Sequence, residues 1–150
     1  ISSAEAPKDV SDVDDLSELE GLDGIICGIP TWNTGADEER SGTAWDSILE
    51  DIGELSLSGK KVAIFGLGDS STYTENYCDA MEELHSYFTK AGAEMVGYVD
   101  KSSYTFDESK SVIGESFCGL PLDEDSESDL TDSRLETWAS QLKGEIPSLG

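Results

Sequence analysis

The chain has 150 residues, enough for one domain with its own hydrophobic core. Nine Lys plus Arg against 33 Asp plus Glu leave a net charge of −24, which repels nucleic acid and anionic membrane surfaces and favours partners with basic patches. Cys27, Cys78 and Cys118 lack paired spacing and His85 is the only histidine, so zinc sites, dithiol redox motifs and Ser-His-Asp machinery have little to build on.

Residues 6–13 are a weak strand candidate, diluted by Pro7, Asp9 and Asp12. The first clear interior strand is the continuous apolar run 24–29, a pattern that predicts burial on both faces. Pro30-Thr31-Trp32-Asn33-Thr34-Gly35 follows at its carboxyl end. A tryptophan in a short polar turn has little to pack against, so Trp32 reads as an exposed stacking platform. A helix is expected around Ala44, Ile48, Leu49 and Ile52, stopped near Gly53, with Trp45 as a packing residue. A second interior strand, 62–67, leads into Gly68-Asp69 and a polar loop containing Tyr73, Asn76 and Cys78.

Tyr77, Ala80, Met81, Leu84, Phe88 and Ala91 then form one helical stripe, ended by Gly92. A third strand is expected over 95–99. The polar segment 100–116, with Tyr104 and Phe106 in alternation, reads as a surface excursion that returns to the sheet edge at 117–122, where Pro121 is tolerated. The last helix centres on Leu135, Trp138, Ala139 and Leu142, with Thr131 or Ser133 as candidate cap and Gly144 past its end. No apolar stretch approaches the roughly 20 residues needed to cross a bilayer.

Strand and helix alternating in this way predict an α/β fold, a parallel sheet with helices on both faces and right-handed crossovers. In such sheets ligands bind at the carboxyl ends of the strands. If the first two strands are neighbours, Trp32 and Tyr73 can face each other across a slot about 7 Å wide, suited to a planar ring. Gly66 and Gly68 would let the backbone approach that ring, and Asn33 and Asn76 would read its polar edge.

The loop Pro30 to Gly35, the run Gly68-Asp69 with Tyr73, Asn76 and Asp79, and residues 117–132 together resemble a long-chain flavodoxin, closest to those of algae and cyanobacteria. The resemblance covers nearly the whole chain. It implies a flavodoxin-like three-layer sandwich of strand order 2-1-3-4-5 whose last strand is interrupted by the excursion at 100–116. It implies a single domain, residues 1–150, that binds FMN without a covalent bond, through Thr31, Trp32, Asn33, Thr34, Gly35, Leu67, Gly68, Asp69, Tyr73, Asn76 and Cys78. It also implies a peptide, Asn33-Thr34, that turns so that its carbonyl accepts from the flavin N5–H; Gly35 should make that turn cheap. Asp69 reads either as a source of local charge near the ring or as a cap, and Cys78 beside the pocket also reads as a small buried thiol.

The implied function is a one-electron carrier rather than an enzyme, standing in for ferredoxin between a photosynthetic or other reductive donor and an acceptor. Photosystem I and ferredoxin-NADP reductase are the implied partners, docking a monomer through basic surfaces. The implied location is a plastid stroma in an alga and otherwise the cytoplasm. Family members open with a strand and a Thr-, Ser- and Gly-rich loop that holds the FMN phosphate, and nothing before Ala4 supplies either. The sequence is therefore expected to lack the central strand and phosphate anchor, as an incomplete chain or as a degenerate domain. Three other functions remain open: an FMN module of a larger reductase, a phospho-receiver domain using Asp69 and Lys101, and a purely structural interaction domain.

Overall fold

The computed structural model describes residues 4–149. Strands β1 (Gly24–Pro30), β2 (Lys61–Leu67) and β3 (Glu94–Val96) are parallel and lie in the order β1-β2-β3. Past β3 the chain leaves the sheet and folds a small antiparallel flap from β4 (Val99–Asp100), β5 (Val112–Ile113) and β6 (Ser116–Phe117), in the order β4-β6-β5. It returns as β7 (Leu120–Leu122), parallel to β2. β3 pairs with residues 61–63 of β2 and β7 with residues 65–67, so one strand position is filled in two pieces on either side of the excursion. Pro121 sits on the edge piece, as a residue without an N–H requires.

Helices cover both faces. On one face, α1 (Leu49–Gly53) and α2 (Ala80–Lys90) pack Ile52, Met81, Leu84 and Phe88 against Ile25, Cys27, Val62 and Ile64. On the other, α3 (Thr131–Glu145) and the residue after it pack Trp138, Leu142 and Ile146 against Ala63, Leu120 and Leu122. β2 alternates between the two clusters, so residues 62–66 pack on both faces while Leu67 at its end is exposed.

Several expectations need correction. In β1 only alternate residues are buried: Ile25, Cys27 and Ile29 face the larger cluster, while the opposite face, with Ile26, is only partly covered. Residues 6–13 form no strand; Asp9 accepts the Ser11 N–H at 2.8 Å and starts a 3-10 turn at Val10–Asp12, so the local aspartate chemistry prevailed. The helix expected around residue 48 is split into a 3-10 turn, Ala44–Ser47, and the short α1. Gly144 lies inside α3, not beyond it, and neither Thr131 nor Ser133 caps the helix; a 3-10 turn, Ser128–Leu130, feeds straight into it. Trp138 and Trp45 are packing residues as expected, and their indole N–H groups donate to Gly97 O and Gly28 O, each at 2.9 Å.

Candidate functional site

Pro30 and Leu67 are register partners, so the loops after β1 and β2 leave the sheet side by side. Trp32 on the first loop is 75% exposed, Tyr73 on the second 49%, and Leu67 at the end of β2 38%. Large apolar side chains left in solvent on the loops of adjacent strand ends are faces available to a flat apolar occupant. At Gly35, with φ +84, nothing lies within 4 Å of where a Cβ would sit, so the turn beyond Trp32 is open to close approach.

The first loop is held at both ends. Thr31 N continues the ladder to Leu67 O at 3.1 Å, while the Thr31 hydroxyl accepts from Ala80 N at 3.2 Å and ties the loop to the start of α2. Thr34 Oγ1 donates to Thr31 O at 3.0 Å. Trp32 N and Asn33 N donate to Ser41 O and Arg40 O, closing a narrow hairpin. Asn33 spends one side-chain N–H inside this hairpin, on Glu39 O at 3.0 Å, which leaves less of it for a ligand than expected.

In the second loop Gly68 N donates to Leu122 O at 3.0 Å. Asp69 caps no helix but closes the turn that follows it: its Oδ1 accepts from Thr72 N, Ser71 N and Ser126 Oγ at 3.0, 3.1 and 2.9 Å. Those bonds, the Thr72 N–H first, hold its carboxyl below the usual carboxylate range. Tyr73 N then donates to Asp69 O at 3.0 Å, which fixes the backbone at that residue. Asn76 reaches Asp79 Oδ2 only at 3.5 Å, so its amide is weakly committed.

Cys78 does not offer its side chain to the patch. It is buried, and a Cβ on Gly68 would lie 2.9 Å from its Sγ, so the thiol forms the wall behind Gly68. Burial pushes this thiol upward, and pushes Cys27 and Cys118 up to about 12, which makes all three poor nucleophiles. Asp69 and Lys101 make no phospho-acceptor site, because the first is filled by loop donors and the second is 3.8 Å from Glu115 Oε2 on the flap.

Asp123 carries a role that its sequence context does not announce. Its Oδ2 accepts both Ser70 N at 2.8 Å and Ser70 Oγ at 2.6 Å, and its Oδ1 accepts Asp125 N and Ser126 N. One buried carboxylate thus organises the root of the Tyr73 loop. Its only signal is an acid directly after a strand-like run. The Ser41-Gly42-Thr43 turn, whose composition suits a phosphate, is already filled by Asp46, which accepts from Ser41 Oγ at 2.6 Å and Gly42 N at 2.9 Å. A cleft of about 990 Å³ runs between the 5–22 segment and β1, with Pro30, Trp32 and Leu67 at one end. Exposed acids, Asp37, Glu38, Glu39, Glu75, Glu124 and Asp125, stand on the same loops.

An open α/β sheet with an aromatic platform at the carboxyl ends of two neighbouring strands defines a domain for a planar aromatic ligand. The chain belongs to the flavodoxin family, whose model matches residues 2–138. It is 44% identical to a flavodoxin of Synechococcus elongatus over 124 residues, 83% of this chain and 71% of that one. It is 40% identical to flavodoxin 2 of Salmonella typhi over 129 residues, 85% of this chain and 72% of that one. The fold also matches a crystal structure of Fusobacterium nucleatum flavodoxin bound to flavin mononucleotide, with a TM-score of 0.79 and 29% identity over 86% of this chain and 75% of that one.

Proposed function

We propose that this chain binds FMN between Trp32 and Tyr73 and carries single electrons between redox proteins, without catalysing a reaction of its own. The exposed pair of aromatics at the ends of β1 and β2 carries the reading. The chemistry of the described residues suits the ring of that cofactor: two exposed π-faces on neighbouring loops, the exposed Leu67 at the end of β2, and the open turn at Gly35. Bound FMN supplies the one-electron chemistry.

The chain's own residues shape that chemistry in three ways. Trp32 and Tyr73 exclude water from the ring faces. The surrounding acids disfavour added negative charge in a site of low dielectric, which makes the carrier more strongly reducing. Asn33 O now accepts from Ala36 N at 3.2 Å, so turning the Asn33-Thr34 peptide toward a ring N–H breaks one loop hydrogen bond, at a cost of about 1 kcal/mol. That turn is therefore less free than Gly35 alone implied.

Titrating the purified chain with FMN should quench flavin fluorescence to an end point of one FMN per chain. Absence of quenching at any concentration sinks the reading. The acidic loops fit transient docking of a monomer onto basic partners such as ferredoxin-NADP reductase or photosystem I, in a plastid stroma or a cytoplasm. Among the described residues no helix is long and apolar enough to cross a membrane. Association with a basic redox partner, followed by stopped-flow, should slow steeply as salt is raised, because exposed charges further apart than about 10 Å are screened at 0.1 M ionic strength. A rate indifferent to salt would remove the steering role of these acids.

A further inference from the structure

A buried carboxylate on α2 controls the loop that carries Trp32. Glu83 is 6% exposed, and its two oxygens accept from successive peptide N–H groups, Glu39 N at 2.8 Å and Arg40 N at 2.7 Å. Two adjacent N–H groups converge on one anion when the backbone between them alternates into a left-handed residue, forming a nest. Glu39 provides that residue, with φ +55. A side chain at positive φ is disfavoured, so the conformation needs support from outside the loop, and the carboxylate gives it.

Arg40 grips from the loop side. Its guanidinium donates to Glu82 Oε2 at 2.6 Å and Asp79 O at 3.2 Å on the helix side, and to Asp37 O at 2.9 and 3.1 Å within the loop. The clamped residues are the ones that carry the platform: Asn33 N donates to Arg40 O at 3.0 Å and Trp32 N to Ser41 O at 3.2 Å. Helix α2, Glu83, residues 39–41 and residues 32–33 therefore form one continuous chain of hydrogen bonds.

We infer that Glu83 is a positioning residue of the ring site, holding through the Glu39 and Arg40 amides both the Trp32 ring and the Asn33-Thr34 peptide in register with Tyr73. The inference rests on the FMN reading. Charge-assisted bonds to a buried carboxylate are strong enough for this.

The test compares Glu83→Ala and Glu83→Gln with the unaltered chain. In the alanine variant, amide exchange at Glu39 and Arg40 should accelerate while β2 amides stay protected. FMN should dissociate about tenfold more readily, and the spacing between the two one-electron potentials should change, because Asn33 O belongs to the same hairpin. Glutamine keeps one acceptor and should fall between. A folded alanine variant with unchanged FMN affinity and unchanged spacing overturns the inference, as does FMN loss that only follows a general fall in Tm. If the alanine variant does not fold, the glutamine variant decides by the same criteria. Should the unaltered chain take up no FMN, the FMN reading fails by itself, and unchanged exchange at Glu39 and Arg40 in the variants would still overturn the clamp.

Discussion

Trp32→Ala is expected to weaken FMN binding by about 10- to 100-fold, the size of effect found when one stacking face is removed from a flat heteroaromatic ligand. Trp32 is 75% exposed, so its indole does little for the core, and what it can stabilise is what lies against it. Folding stability in urea should therefore stay near that of the unaltered chain while flavin affinity falls. Tyr73→Ala should act in the same direction with a smaller loss, since the phenol presents less area than an indole. A Trp32→Ala chain that binds FMN as tightly as before would place the ring elsewhere.

Gly119→Ala is expected to cost more than about 3 kcal/mol of stability, at or beyond the usual limit for forcing extra volume into a packed core. Gly119 directly precedes β7, where the chain rejoins the sheet beside β2. A Cβ there would run into Ile64 O and lie 2.9 Å from the Ile64 carbonyl carbon. Those are backbone atoms of the central strand and have no rotamer by which to yield. Gly144→Ala is the counterpart: nothing lies within 4 Å of its Cβ position inside α3, so it should gain about 0.5–1 kcal/mol from helix propensity. Urea melts of the two variants should move in opposite directions, and a Gly119→Ala midpoint close to the unaltered one would show that the return to the sheet is not tightly packed.

Much of the frame was legible because it depends on short-range chemistry. An apolar run such as 62–66 is packed on the sheet, and the stripe from Ala80 to Phe88 has a period only a helix satisfies; Tyr77, expected on that helix, precedes it in a turn, because Cys78 is left-handed with φ +54. Trp32 stood out because a polar turn offers an indole nothing to pack on. The buried acids were not legible. Glu83 lies three residues past Ala80, at the margin of the apolar stripe, but in a chain with 33 acids a glutamate on a helix reads as one more solvated charge. Asp123 was hidden for the same reason, since only the fold brings Ser70 to it across 53 residues.

The sequence alone therefore determined the class of fold, the two strand ends that carry exposed aromatics and the acidic character of their loops. Those properties follow from composition and from periods of two and 3.6 residues, which act over a few neighbours. The tertiary structure decided how β3 and β7 share one strand position and why β1 is buried on alternate residues only. It also showed that Cys78 backs Gly68 instead of facing the patch, and that Glu83 and Asp123 hold the two loops. Each of these depends on which distant peptide N–H or side chain arrives beside a given residue, and local pattern does not encode that arrival.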